Sequence, residues 1–182
     1  MNRHLAPLLS LCSLMLAGCI YDVPLEPTAK LPVDKTLAGL WETMPEPTSK
    51  PPASADRKPP ERMRIIQFSD TEYLVHYPAC EDGFYFKAHA IRVGGIDCVQ
   101  IQWLGTAEDG TNATKEQFHV TRHTLKDGIL EIMTLNEKLI PRKSAPTTEK
   151  LRECFIANKD KPDLFKDPIR FRRVEAANPG GK

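Results

Sequence analysis

Short apolar runs with a period of two residues follow one another along the chain, and residues that favour turns separate them. In the run 96–104, for example, Val99 and Ile101 alternate with Gln100 and Gln102. Such alternation is typical of a β-strand with one face in the core and the other in water. The pattern predicts eight strands, over residues 37–41, 63–68, 71–77, 84–93, 96–104, 116–123, 129–135 and 169–174.

The segments between these runs carry turn and loop signals. Proline recurs six times within 45–60, and because proline cannot donate to a strand ladder, a long exposed loop is expected there. Glycine, threonine, aspartate and asparagine make 105–114 a second loop. Hairpin turns are predicted at Ser69-Asp70, Gly94-Gly95 and Asp127-Gly128.

The apolar period changes from that of a strand to that of a helix near the C-terminus. Leu151, Cys154 and Phe155 lie at positions i, i+3 and i+4, which places them on one face of a helix. Thr147 or Thr148 is suited to cap its first turn. The sequence therefore predicts one helix between the seventh and eighth strands.

This order of elements predicts a mainly β chain, namely an eight-stranded antiparallel barrel with one C-terminal helix. Closing the sheet into a barrel leaves no edge strand that could pair with other chains. The barrel domain is expected over residues 37–175. The last residues, 176–182, end in Pro-Gly-Gly-Lys and are expected to be a disordered tail.

The N-terminus has the composition of an export signal. Arg3 and His4 precede an apolar run from Leu5 to Ala17, and the stretch contains no acidic residue. The run is shorter than the roughly 20 apolar residues that a helix needs to cross a bilayer. Residues 1–18 are therefore predicted to be a signal peptide rather than a transmembrane helix.

Leu16-Ala17-Gly18-Cys19 resembles the lipobox of bacterial lipoproteins. The resemblance implies cleavage before Cys19 and attachment of diacylglycerol and a further acyl chain, such as palmitate, to that residue. Several acyl chains give stable anchoring. In that family an aspartate after the cysteine retains the protein at the inner membrane, so Ile20 favours a periplasm-facing position at the outer membrane. The alternative is ordinary secretory cleavage that leaves Cys19 free.

Residues 19–36 are expected to comprise the lipidated cysteine and an extended tether. Pro24, Pro27 and Pro32 lie among small and charged residues, a composition that stays extended and solvated. At about 3 Å per residue, such a tether would hold the domain some tens of ångströms from the bilayer.

The charge balance narrows the set of partners. The chain has 25 Lys and Arg residues against 24 Asp and Glu residues. Cleavage removes Arg3 and no acidic residue, so the mature chain is formally neutral. Nucleic acid is not indicated as a partner, because its binding calls for a basic excess. The expected partners are the membrane through the lipid anchor, an envelope protein and a small apolar ligand.

Three cysteines, Cys80, Cys98 and Cys154, would enter an oxidising compartment after cleavage. An odd number of cysteines cannot all pair within one chain. One disulfide with one buried thiol, in any of the pairings, and three buried thiols are both consistent with the sequence. A metal centre is not indicated, because there is no Cys-x-x-Cys motif or Cys/His cluster.

Gly39 and Trp41 form a Gly-x-Trp triplet on the first predicted strand, and it resembles the signature of the lipocalin and wider calycin superfamily. The resemblance implies that Trp41 closes the barrel floor and that an arginine of the last strand packs over its indole ring. Arg170, Arg172 and Arg173 lie on that strand, and we expect Arg172 to be the partner. In that family the helix follows the eighth strand, whereas the helical pattern here precedes it.

Motifs of the common enzyme classes are missing from the sequence, which has no Gly-x-Ser-x-Gly elbow, no phosphate loop and no His-Glu-x-x-His helix. His119 and His123 share one face of a predicted strand. Their separation of about 13 Å is too large for a single metal ion, and both are expected to be solvated. The sequence predicts a protein that is not an enzyme and that uses no metal or cofactor.

Six aromatic residues fall on strand positions that can face the barrel interior. In a large barrel they would wall an apolar ligand site, and in a small barrel they would fill the core. The leading hypothesis is a non-enzymatic interaction or structural module of the envelope, and the alternative is a carrier of a small apolar ligand. The candidate cavity residues are Tyr73, Tyr77, Phe84, Phe86, Trp103 and Phe118.

Overall fold

The structure is a computed structural model that describes residues 20–45, 59–79, 83–106 and 116–174. The predicted signal peptide, Cys19, most of the proline-rich loop, Cys80 and the tail lie outside these residues. The loop predicted over 105–114 is described only at its first two residues.

Eight antiparallel strands form a closed barrel in which each strand pairs with its neighbour in sequence and the last strand pairs with the first. This closure confirms the mainly β, eight-stranded barrel that the alternating pattern predicts. The strands are β1 (Gly39–Thr43), β2 (Arg62–Gln67), β3 (Tyr73–Tyr77), β4 (Phe84–Val93), β5 (Ile96–Thr106), β6 (Phe118–Lys126), β7 (Ile129–Leu135) and β8 (Phe165–Arg173).

The last strand starts earlier than its sequence pattern predicts. Asp167 and Pro168 resemble a break, yet β8 runs through them from Phe165. Asp167 has a φ of +54°, and the pairing with β7 shifts its register between Ile132 and Thr134. An irregularity of this kind accommodates a proline, which cannot donate a hydrogen bond to the ladder.

Successive connections alternate between the two ends of the barrel, because neighbouring strands are antiparallel. The hairpins β2–β3, β4–β5 and β6–β7 lie at one end, called the closed end, and all three agree with the predicted turns. The other four connections lie at the opposite end, called the open end. A 3-10 turn, Lys35–Leu37, leads into β1 at the closed end, and Asp34 caps it by accepting a hydrogen bond from the N–H of Thr36 at 2.9 Å.

One α-helix, α1 (Thr148–Asn158), lies between β7 and β8 within the described part of the chain. Its N-cap is Thr147, whose hydroxyl oxygen accepts a hydrogen bond from the N–H of Lys150 at 3.3 Å. Leu151 and Phe155 are fully buried, and the helix packs against β4. The predicted start, apolar face and order of this helix are confirmed.

The N-terminal segment, residues 20–37, packs along the outside of the barrel, so the prediction of an extended, solvated tether is wrong. Tyr21 and Leu25 are fully buried. The backbone of Tyr21 pairs with Phe118 at the start of β6, with N···O distances of 2.8 and 2.9 Å. The Tyr21 hydroxyl donates to the carbonyl of Ile140 at 2.8 Å. Burial of these two large side chains favours the packed state.

The outer face of β4, β5 and β6 is covered, although the alternating pattern predicts that this face is wet. Gln100 is only 2% exposed. Its side-chain amide accepts a hydrogen bond from the N–H of Glu26 at 3.0 Å and donates one to the Glu26 carbonyl at 2.9 Å, which offsets the cost of burial. The apolar outer cluster consists of Tyr21, Leu25, Ile91, Val93, Cys98, Phe118, Val120, Leu135, Ile140, Ala145, Leu151, Phe155 and Leu164.

Replacing Tyr21 by alanine tests whether the N-terminal segment belongs to the folded domain. We expect Tyr21→Ala to lower the free energy of unfolding of residues 20–182 by about 3 to 5 kcal/mol, as for other large buried aromatic side chains. Lys30→Ala is the matched control, because the Lys30 side chain is 68% exposed in the same segment, and it should cost less than about 0.5 kcal/mol. Urea unfolding measures the free energy of unfolding of both variants. Equally small decreases for the two would indicate that the segment is a solvated tether.

Trp41 closes the barrel floor at the closed end and is fully buried. Its indole N–H donates to the carbonyl of Leu37 at 2.9 Å. The Arg173 guanidinium carbon lies 4.5 Å from the ring centroid, and the same guanidinium donates to the carbonyls of Ala38, at 2.9 Å, and Thr36. Arg173 therefore fastens the turn before β1 to the end of β8.

The arginine that covers the floor is Arg173, and the prediction that names Arg172 is wrong. Side chains alternate along β8, so Phe171 and Arg173 share the inner face, whereas Arg172 points outwards and pairs with Glu42 at 2.5 Å. Gly39 permits the close approach of Arg173. Its φ is +148°, and a Cβ there would lie 2.6 Å from an Arg173 guanidinium nitrogen.

Removing the Arg173 guanidinium should destabilise the barrel more than removing that of Arg172. We expect Arg173→Ala to cost about 1 to 3 kcal/mol, because it loses the cation–π contact and two charge-assisted hydrogen bonds. Arg172→Ala is the matched control, since an ion pair with an exposed arginine contributes less than about 1 kcal/mol. Urea unfolding of residues 20–182 compares the two variants. A larger loss for Arg172→Ala would contradict the assignment.

Candidate functional site

An apolar cavity occupies the part of the barrel interior that lies towards the open end. Its volume is about 80 Å³, and it is partly open to solvent. The side of the cavity next to Pro78 and Phe84, which flank the β3–β4 connection at the open end, is called its mouth. Its apolar lining consists of Met63, Val75, Tyr77, Pro78, Phe84, Phe86, Ile101, Ile132 and Ile169, and its polar lining of His119, Thr121 and Thr134.

Three of the six aromatic residues proposed from the sequence line the cavity, namely Tyr77, Phe84 and Phe86. They face inwards on neighbouring strands, and Tyr77 pairs directly with Phe84 in the ladder between β3 and β4. The half-buried Trp103 pairs with Phe86 across β4 and β5 but is not among the lining residues. The sequence prediction names only aromatic residues for the cavity and therefore omits Ile132 and Ile169. The alternation of side chains along β7 and β8 could have identified both.

Tyr73 and Phe118 lie elsewhere in the molecule. The Tyr73 hydroxyl accepts a hydrogen bond from the N–H of Asp34 at 2.5 Å and donates to its carbonyl at 3.1 Å, which ties β3 to the turn at the closed end. Burial raises the pKa of Tyr73. Phe118 points outwards into the outer cluster. Both residues contribute to packing, and the prediction that they line the cavity is wrong.

His119 is the polar residue that distinguishes this cavity. It is only 7% exposed, so the expectation of a solvated histidine is wrong. Its neighbours Phe118 and Val120 belong to the outer cluster, and alternation along β6 therefore turns the imidazole inwards. Burial lowers the pKa of His119 to about 4. The imidazole is therefore neutral at neutral pH.

The Nε2 atom of His119 is buried without a hydrogen-bond partner among the described residues. The two threonines of the lining are already engaged, because Thr121 donates to the carbonyl of Val99 and Thr134 to that of Lys166, each at 3.4 Å. A buried nitrogen without a partner costs about 1 to 3 kcal/mol. His119 therefore contributes one buried nitrogen without a described partner to the wall of an apolar cavity.

The size of the cavity limits what it can hold. Its volume of about 80 Å³ is smaller than the engineered cavity of about 150 Å³ that binds benzene, and far below the roughly 300 to 1,000 Å³ of drug-sized ligand sites. It suits a slim apolar group, such as the end of a hydrocarbon chain, with the rest of the ligand at the mouth.

Cys98 and Cys154 are free thiols, and Cys80 lies outside the described residues. Cys98 belongs to the outer cluster, and Cys154 packs against it. Burial raises the pKa of Cys98 to about 12, so its thiol stays protonated and a weak nucleophile. Within the described ranges, no group of three or more His, Cys, Asp or Glu residues is placed to hold a metal ion.

No family model, curated protein or solved structure matches this chain. The fold class of this protein is therefore assigned from the arrangement of its strands and helix alone. A closed eight-stranded antiparallel barrel with one helix packed on its outside is consistent with a lipocalin-like fold. Among the residues that the structure describes, no helix is both long and apolar enough to cross a membrane.

The buried imidazole should make stability depend on pH. In the unfolded chain a histidine binds a proton below about pH 6.5, whereas His119 in the barrel stays neutral down to about pH 4. The unfolded state therefore binds more protons in this window, and the free energy of unfolding falls as the pH falls, by at most about 1.4 kcal/mol per pH unit.

Comparing the wild type with His119→Phe isolates this contribution. Between pH 7 and pH 4.5 we expect the wild type to lose about 2 to 3 kcal/mol more stability than the variant, in which no proton can bind at this position. Urea unfolding at both pH values measures the difference. Parallel pH profiles for the two proteins would show that the imidazole titrates normally in the barrel.

Proposed function

We propose that this protein is a lipid-anchored lipoprotein of the bacterial envelope whose barrel carries a small ligand with a slim apolar end. The anchor is the acylated Cys19, as the resemblance of residues 16–19 to a lipobox implies. The membrane is the outer membrane, because Ile20 replaces the usual retention signal, and the barrel faces the periplasm. The ligand lies in the cavity around His119.

The observation that carries this proposal is the apolar cavity with one buried, unpartnered nitrogen at His119. Apolar walls with few polar groups are typical of small-molecule sites, where the polar groups fix the orientation of the ligand. A neutral imidazole can donate or accept a hydrogen bond through Nε2, depending on its tautomer. A ligand with a hydroxyl or carbonyl near its apolar end would satisfy this atom.

The proposed role is binding rather than catalysis, without a cofactor. Val75, Ile101 and Ile132 form aliphatic walls of the same cavity that His119 lines. Such walls hold a hydrocarbon but supply no second acid, base or nucleophile.

A second candidate function is an interaction module that binds an envelope protein. Its support is an apolar surface at the closed end, where Phe68 is 66% exposed and Ile66 is 47% exposed. Exposed apolar side chains that lie close together mark interaction surfaces. This surface lies at the opposite end of the barrel from the cavity mouth, so the two functions are compatible.

Native mass spectrometry of residues 20–182, expressed without the lipid in an oxidising compartment, tests the carrier function. We expect an added small-molecule mass that is lost on mild unfolding. Ile101→Trp should abolish it, because the larger side chain fills the cavity. Gln102→Trp is the matched control, since the adjacent residue points outwards on the same strand, and it should retain the added mass.

A clean protein mass for the wild type would contradict the carrier function and favour the protein partner. An added mass that persists in Ile101→Trp would place the ligand outside the cavity. Circular dichroism of both tryptophan variants establishes that they are folded before their spectra are compared.

A further inference from the structure

We propose that the open end of the barrel faces the bilayer, so that the cavity receives the apolar end of its ligand directly from the membrane surface. This inference rests on the proposed lipid anchor at Cys19. It adds an orientation, a lipid surface as the docking partner and a membrane lipid as the source of the ligand.

The contacts of Tyr21 show which end of the barrel holds the start of the N-terminal segment. Its N–H donates to the carbonyl of Phe118 at 2.8 Å, and its carbonyl accepts from the N–H of Phe118 at 2.9 Å. Phe118 is the first residue of β6, and β6 starts at the open end. Tyr21 is fully buried and its hydroxyl donates to Ile140, in the connection that leaves β7 at the same end. Tyr21 is therefore fixed at the open end.

The short distance along the chain between Cys19 and Tyr21 limits how far an anchor can lie from the open end. Cys19 precedes Tyr21 by two residues, and two residues span at most about 7 Å between Cα atoms. An acyl chain on Cys19 therefore begins beside the open end. A solvated tether over 19–36 would have allowed separations of some tens of ångströms, but the packed segment removes that freedom.

The course of the N-terminal segment excludes the opposite orientation. Beyond Tyr21 it crosses the outer face of the barrel, where Glu26 bonds with Gln100. It then reaches the closed end, where the N–H of Val33 donates to the carbonyl of Asp70 in the β2–β3 hairpin at 2.9 Å. The segment spans the barrel from one end to the other, so the closed end lies away from the anchor.

The exposed charges beside the predicted anchor are mixed, with Lys138 and Lys143 at the same end as Glu116 and Glu137. The 3-10 turn Arg142–Ser144 is exposed, and Arg142 donates to the carboxylate of Asp22 with an Nε···Oδ2 distance of 2.8 Å. Its neighbour Lys143 is exposed one residue further on. Because these charges balance, the orientation rests on the packed segment and not on attraction between a basic surface and anionic headgroups.

The cavity mouth lies at this same end, bordered by Pro78 and Phe84. A hydrocarbon chain that leaves the membrane there would enter the apolar interior without crossing a long path through water, which is the costly step for apolar surface. The small volume of the cavity fits a chain end while the headgroup stays at the mouth.

The two tryptophans of the chain report on the two ends. Trp41 is buried in the closed end, whereas Trp103 lies near the end of β5 at the open end, where its N–H donates to the carbonyl of Gln117 at 3.0 Å. The experiment uses the full mature lipidated chain in phosphatidylcholine vesicles whose acyl chains are brominated near the headgroup, compared with unbrominated vesicles. Bromine quenches only nearby tryptophans.

We expect brominated lipid to remove the Trp103 part of the wild-type emission and to leave the emission of Trp103→Phe, which reports Trp41 alone, unchanged. A ten-residue Gly/Ser insertion between Cys19 and Ile20 keeps the anchor but frees the orientation, so it should abolish the quenching. Flotation with the vesicles establishes anchoring in every sample.

Floating protein with no quenching, or with equal quenching in Trp103→Phe, would overturn the orientation and leave the anchor intact. Quenching that survives the insertion would support the orientation but would overturn the short link as its cause. Mature chain that fails to float would overturn the lipoprotein function and the orientation together.

Discussion

The wall formed by β4, β5 and β6 is buried on both faces, and the N-terminal segment and α1 supply the cover on the outer face. On β6 the side chains alternate, so Phe118 points outwards into the outer cluster and His119 points inwards to the cavity. One strand therefore contributes to both the outer cluster and the cavity. Removing the cover would expose a large apolar area, at roughly 25 cal/mol for each square ångström. The barrel and its N-terminal segment are therefore one folding unit.

The N-terminal segment is fixed at both ends of the barrel by different interactions. Tyr21 holds it at the open end through backbone pairing and burial. At the closed end the Arg173 guanidinium holds the carbonyls of Thr36 and Ala38 while it stacks over Trp41. Because β8 provides the arginine and β1 the tryptophan, this contact also closes the ring of strands.

Sequence reasoning could predict the elements that depend on periodicity and local chemistry. Strand alternation located the barrel, and the spacing of Leu151 and Phe155 with a threonine cap located α1. It could not predict the packing of Tyr21, because two apolar residues among prolines give no period. Arg173 was within reach, since alternation along β8 already separates it from Arg172. The inward turn of His119 depends on the cover over Phe118, which is a tertiary feature.

A packed N-terminal segment changes what a lipid anchor does. On a flexible tether, an acyl chain only raises the concentration of a domain near a membrane, and every orientation remains accessible. When the residue two positions from the anchor is paired with β6, the anchor would also select the end of the barrel that meets the bilayer. The open end contains the apolar cavity, so the same constraint that stabilises the wall would place the mouth of the cavity against the lipid.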